Sequence, residues 1–195
     1  PAGAAAWIWT VRPELTADQV AEIVRRSASD LGKPGRDAFS GYGMLNVAAA
    51  LTYPAPIADV QEPNDDVDNV DPAGDRNFAQ PSPLTTKTIR KRALSARLDR
   101  YEDPSDVYRV WVAARKTLTV VSTTTADTDL ALFRPGVPSV SSKFVGEYRL
   151  ARAQTRGATE RLVFKNGRSG LWAYLVVTPG RSALDATYRL AVTVR

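Results

Sequence analysis

The spacing of apolar positions changes twice along this 195-residue chain. Residues 2–9 are alanine-rich and apolar on every side, which predicts a helix buried all round and stopped by Pro13. Thr16 with Gln19 three residues later reads as a capping box, and Leu15 with Val20 as the hydrophobic staple that clamps such a helix start. Val20, Ile23 and Val24 repeat at helical spacing, so a second helix is expected to about Ser29. Gly32, Pro34 and Gly35 make a loop, Gly41 and Gly43 bracket a turn at Tyr42, and Met44–Leu51 is expected to form a third short helix. Pro54 and Pro56 mark a linker, and Asp59–Pro83, poor in large apolar residues, reads as irregular coil.

From about Leu94 the period falls to two. Strands are expected over Val107–Val112, Leu118–Val121, Leu130–Phe133, Arg161–Phe164, Trp172–Val177 and Tyr188–Val194, punctuated by Gly, Pro, Asp or Ser. Short strands with such breaks predict an antiparallel sandwich. The fold class is therefore α+β: a helical segment over 1–53, a linker over 54–61 and an all-β antiparallel sandwich over 62–195. A 53-residue segment led by a fully apolar helix cannot build much of a core alone. Ala4, Trp7, Ile8 and Val11 are expected to be covered by the β region or by a larger domain upstream.

Composition removes several chemistries. Apolar residues make up 44% and charged residues 24%, values of an ordinary globular chain, so wholesale disorder and a coiled coil are not expected. There is no cysteine, which excludes disulfides, thiolate catalysis and thiolate-held metals. There is no histidine, so the usual general base is missing and a Ser-His-Asp triad cannot be completed within the chain. Any metal must be held by oxygen, which favours calcium or magnesium over zinc. The longest uncharged apolar run, Ala4–Val11, falls far short of the ~20 residues of a membrane span, and no basic leader of a secretory signal opens the sequence.

The net charge of +5 is unevenly placed. Residues 1–58 balance, residues 59–75 carry seven acidic and no basic side chains (Asp59, Glu62, Asp65, Asp66, Asp68, Asp71, Asp75), and residues 76–195 carry 21 basic and nine acidic ones. The acidic stretch reads either as a cation site or as a solvated linker. The basic excess reads either as a polyanion-attracting surface or as an ordinary charged exterior. Arg90-Lys91-Arg92 fits a solvated turn or strand edge, and no interleaving of aromatic and basic residues marks a nucleic-acid platform.

The helical segment resembles the C-terminal end of a subtilisin-like (S8 family) serine protease domain. Ala2-Gly3-Ala4-Ala5-Ala6 matches the end of the run that follows the family's nucleophilic serine. Pro13, Leu15, Thr16, Gln19 and Val20 match the next loop and helix, and Ala28, Asp30 and Gly32 the following turn. Tyr42-Gly43-Met44-Leu45-Asn46 with Ala48–Leu51 matches the closing element, although Met44-Leu45 lacks its second glycine. The resemblance implies that catalytic Asp, His, Ser and oxyanion Asn belong to sequence upstream of Pro1. None of them is carried over to this chain, which is expected to be inactive alone and to partner the upstream protease portion.

The β region resembles the bacterial pre-peptidase C-terminal domain, a small jelly-roll-like sandwich appended to secreted proteases. Glu62-Pro63-Asn64-Asp65 matches its opening signature. Asp103-Pro104-Ser105-Asp106, followed by Val107-Tyr108-Arg109-Val110, matches its Asp-x-x-Asp strand entry. Asp127-Thr128-Asp129-Leu130-Ala131-Leu132-Phe133, Gly170–Val177 and Tyr188-Arg189-Leu190 match its later strands, with a weaker stretch over 139–159. Some members bind calcium near the opening signature, and by position the ligands would be Glu62, Asn64, Asp65, Asp103 and Asp106. Val60 stands where calcium-binding relatives carry an acid, with Asp59 adjacent. The alternative is that Asn64 and Asp65 cap a turn while Asp103 and Asp106 shape a loop. The resemblance further implies a secreted bacterial protein and a sandwich serving stability, maturation or binding of a protein or polysaccharide substrate or surface. A stand-alone binding module for collagen-like protein, polysaccharide or cell wall is the second reading. At period two, Trp111 falls opposite Tyr108 and Val110, and Trp172 shares a face with Tyr174. These aromatics serve either sugar or peptide binding or core packing.

Overall fold

The computed structural model describes residues 1–73, 80–141 and 145–195. Asp75 of the acidic stretch lies outside the described residues. The chain divides into two compact units, Pro1–Ala58 and Asp59–Arg195.

The first unit holds three helices: α1 (Ala2–Val11), α2 (Ala17–Arg26) and α3 (Val47–Thr52). Thr16 Oγ1 accepts from Gln19 N at 3.2 Å while Gln19 Oε1 accepts from Thr16 N at 2.9 Å, which closes the expected capping box. Leu15 and Val20 are buried together with Ile8, Ile23 and Ala50. The expectation that the first helix is buried on every side is corrected: within α1 only Ile8 is buried, and Trp7, Trp9 and Val11 are exposed by 56%, 46% and 55%. Two short helices can cover only one side of a third. The third helix also starts later than expected. Met44 instead bridges Ser29 through both backbone groups at 2.8 Å, and Asn46 caps the helix by accepting from Ala49 N at 3.0 Å. Gly43 permits that bridge: its φ is +105°, and a Cβ there would stand 2.2 Å from the Ser29 carbonyl.

The second unit is a sandwich of two four-stranded antiparallel sheets. Its strands are β1 (Lys91–Asp99), β2 (Asp106–Val112), β3 (Thr117–Thr124), β4 (Thr128–Phe133), β5 (Arg149–Ala153), β6 (Thr159–Lys165), β7 (Leu171–Pro179) and β8 (Asp185–Val194). One sheet runs β1-β8-β3-β6 and the other β2-β7-β4-β5, so only β4 and β5 are both consecutive in sequence and neighbours in one sheet. Alternation aims Leu118 and Val120 of β3, and Tyr188, Leu190 and Val192 of β8, at Tyr108, Val110, Leu130, Leu132 and Leu175 of the other sheet. Burying each such side chain contributes about 1.5–3 kcal/mol before chain entropy is set against it. Lys91 and Arg92 occupy the exposed start of the edge strand β1, a placement that discourages edge-to-edge pairing.

Several elements escaped the pattern, β1 among them: it begins at Lys91, where only a solvated turn or strand edge is expected. β5 is a five-residue edge strand whose alternation Arg149 and Arg152 break up. A one-turn helix, α4 (Val67–Val70), interrupts the expected coil. Asp66 caps it, and Val67 and Val70 cover Val107, Phe133, Tyr174 and Val176 on the outer face of the β2-β7-β4-β5 sheet. No helix among the described residues is long and apolar enough to cross a membrane.

Candidate metal centre

The acidic stretch does not trail away from the sandwich; its first half folds onto the start of β2. Asn64 is fully buried, and its carbonyl accepts from Val107 N at 2.8 Å. The Asp65 carbonyl accepts from Ser105 Oγ at 2.7 Å. These two bonds fix the Glu62-Pro63-Asn64-Asp65 signature, whose Glu62–Pro63 peptide is cis, against the strand entry. Asp59 is held by Gln61 N on Oδ1 at 3.1 Å and by Arg97 N of β1 on Oδ2 at 3.4 Å. On the far side, Asp99 and Asp103 exchange backbone bonds of 2.9 Å, and Asp99 Oδ1 accepts from Tyr101 N and Glu102 N. This tight loop returns Asp103 toward the signature.

One carboxylate oxygen each from Asp59, Glu62 and Asp106 lies within 4.8 Å of the others. Asn64 sits among them. In one orientation its Oδ1 faces Glu62 Oε1 and Asp106 Oδ1; turned over, its amide nitrogen donates to those atoms at 2.7 and 2.8 Å. Glu62 Oε2 also accepts from Asn64 N at 3.2 Å. Asp106 is fully buried and accepts from the Tyr188 hydroxyl, which lies 2.6 Å from the Tyr108 hydroxyl. Asp103 is half-buried, and its Oδ1 is screened from solvent with no hydrogen-bond partner.

Electrostatics follow from that crowding. Burial, then the charges of Glu62, Asp65 and Asp59, push the Asp103 carboxyl up to about 8, with Arg97 opposing. Burial, then Asp103 and Asp59, raise Asp106 well above the carboxylate range against the Tyr188 hydrogen bond. Burial and the Asp106 charge raise Tyr108 and Tyr188 in turn. The donor set is all oxygen, and a divalent cation would relieve both the repulsion and the orphaned Asp103 oxygen.

Among the five residues expected from sequence, Glu62, Asn64 and Asp106 converge. Asp103 and Asp65 act on the cluster through their charge but do not join the three carboxylates that meet within 4.8 Å. The third of those is Asp59, beside the expected position: Val60 is 73% exposed while Asp59 turns inward. Asp66, next in sequence, caps α4. Of the strand aromatics, Tyr108 and Tyr188 are buried between the sheets, Tyr174 is buried beneath α4, and Trp111 and Trp172 lie half-exposed on the outer face.

No family model matches the sequence, and no curated protein matches it. Solved structures similar to it include the pre-peptidase C-terminal domain of a collagenase from Bacillus anthracis, 18% identical, with a TM-score of 0.41, covering 61% of this chain and 100% of that one. A periplasmic inhibitor of g-type lysozyme from Aeromonas hydrophila is 15% identical, with a TM-score of 0.41, covering 58% of this chain and 96% of that one. A surface-associated copper-binding protein of Methylomicrobium album BG8 is 10% identical, with a TM-score of 0.37, covering 58% of this chain and 98% of that one.

Proposed function

We propose that residues 59–195 form a non-catalytic accessory module of the pre-peptidase C-terminal type, stabilised by one calcium ion. Residues 1–58, on this reading, close the catalytic domain of a secreted bacterial subtilisin-like endopeptidase. The observation that carries the module reading is the convergence of Asp59, Glu62 and Asp106 around the buried amide of Asn64. Asp59, Glu62, Asn64, Asp103 and Asp106 would hold the ion, with the Asn64 Oδ1 turned inward. Asp65 would add charge beside it. The ion would supply cross-linking: it would join the segment ahead of the sandwich to the loop before β2. Extracellular calcium modules work at about 10⁻⁴–10⁻³ M, which suits a secreted protein and a site of neutral plus acidic ligands.

The endopeptidase part is supported by the helical-segment motifs and by the exposed apolar side chains of α1, Trp7, Trp9 and Val11, which are available for burial against further protein. The chain itself has no histidine or cysteine to serve as base or thiolate nucleophile. Its contribution to proteolysis would be bracing or delivery of the enzyme rather than bond cleavage.

Terbium luminescence tests the calcium reading. Tyr188 donates to Asp106 and Tyr108 adjoins it, so excitation of tyrosine should sensitise emission from Tb³⁺ bound at the centre. Calcium should compete that emission away and Asp106→Asn should abolish it. Emission that is absent, or unchanged in Asp106→Asn, contradicts the reading.

A further inference from the structure

The outer face of the β2-β7-β4-β5 sheet carries an arrangement that the calcium reading does not use. Trp111 of β2 and Trp172 of β7 are register partners, and their rings meet edge to face at 5.2 Å and 61°. The Arg109 guanidinium stands 3.9 Å over the Trp172 ring, and the Lys87 ammonium 5.6 Å over the Trp111 ring. Gly170 makes room for this: a Cβ there would come within 2.3 Å of the Trp111 ring. The inner faces of the same strands are filled by Tyr108, Val110, Ala173 and Leu175, so the core does not need these two indoles.

Neither cation has an ion-pair partner among the described residues. The segments around these indoles add to the field: residues 84–90, 107–116 and 166–177 carry two, three and one basic side chains and not one carboxylate. The acidic segment packs on the same outer face through α4, against Val107, Phe133 and Val176, and through Tyr174, whose hydroxyl donates to Asp71. A guanidinium stacked on an indole is pinned flat, with its N–H edge available for a planar, bidentate anion. Carboxylate fits that edge.

We propose that Lys87, Arg109, Trp111 and Trp172 form a binding site for carboxylated polysaccharide, a polymer of uronic acid sugars. The cations take the carboxylates and the indoles take the C–H faces of the sugar rings. A peptide would bind such a sheet most simply as an added strand, but the edge of β2 is already occupied. Leu84 N donates to the Arg109 carbonyl at 2.9 Å, Trp111 N to the Thr85 carbonyl at 3.1 Å, and Thr85 Oγ1 to the Trp111 carbonyl at 3.0 Å. The same pairing positions Lys87. The site is separate from the calcium centre and stands or falls without it.

Affinity electrophoresis of the full chain through gels containing polygalacturonate, dextran or poly-glutamate tests this, with EDTA present to exclude calcium bridging. Expected are retardation by polygalacturonate, none by dextran, and less by poly-glutamate. Lys87→Gln combined with Arg109→Gln should weaken retardation about tenfold or more, the worth of one or two charge-assisted hydrogen bonds. Arg109→Lys, which keeps the charge but loses the planar fork, should weaken it as well. Because Lys87 is exposed, Lys87→Gln alone keeps the test available if the double variant melts early. Absent retardation, retardation unchanged in these variants, or stronger retardation by poly-glutamate would each overturn the proposal. Terbium binding, read separately, reports on the calcium centre alone.

Discussion

The two units bury apolar surface in very different ways. Among the described residues, the helical unit closes on five buried apolar side chains around Ile8 and Ile23, while the sandwich closes on eighteen between its sheets. The helical unit leaves Trp7, Trp9 and Val11 in solvent; the sandwich seals its inner faces and lays α4 over part of one outer face. Local signals are strong in both, so the difference teaches that well-formed helices are not a self-sufficient core. A unit of fifty-eight residues with one side of one helix covered sits near the lower limit for independent folding.

Separating the units gives the largest expected effect. Residues 59–195 expressed alone should melt in one cooperative transition followed by circular dichroism, and residues 1–58 alone should show none. Cooperative melting of the short piece would mean that its five-residue core suffices. Core truncation comes next. Leu132→Ala empties a fully buried position between the sheets and should lower sandwich stability by about 2–5 kcal/mol in urea titration. Ile8→Ala should leave the sandwich transition where it was.

A smaller effect is expected at the polar seam of the sandwich. Tyr188→Phe removes the donor to Asp106 and the partner of the Tyr108 hydroxyl, and denaturant titration should register a loss of about 1–3 kcal/mol. A pH dependence peculiar to the metal-free sandwich is also expected. Asp103 ionises near 3.8 when unfolded and at about 8 when folded, so the folded state holds the extra proton between those values. Stability without metal should therefore be fully present at the acidic end of that window, fall as pH rises through it, and level off above the folded value. A metal-free stability that instead climbs across the window would contradict the crowding of carboxylates at this centre.

Much of this was legible in the residues, for identifiable reasons. The capping box at Thr16 and Gln19 and the alternation of β2, β3, β7 and β8 are local patterns, and local patterns carry through to structure. What stayed hidden depends on contacts distant in sequence. α4 forms where Val67 and Val70 find Val107 and Tyr174, a match that no window around the acidic stretch contains. Asp59 is a ligand candidate because Arg97 N of β1 draws it inward, whereas position-by-position resemblance points to the solvent-facing Val60. The exposure of Trp7 and Trp9 was equally out of reach, since hydrophobicity tells which face seeks cover but not whether cover is supplied.

Calcium-dependent melting of the full chain tests the central claim most directly, with the sandwich transition followed with and without the ion and beside the Asp106→Asn variant. Binding to the folded state alone should raise the sandwich transition steadily with concentration, by the equivalent of about 2.7 kcal/mol at a hundredfold excess over Kd. Asp106→Asn should melt no lower than the parent without metal, since a neutral isostere replaces a carboxyl whose charged form burial and its neighbours disfavour, and should ignore calcium. A parent transition that does not move at about 10 mM calcium, well above the range of extracellular modules, or one that moves equally in the variant, would contradict the account.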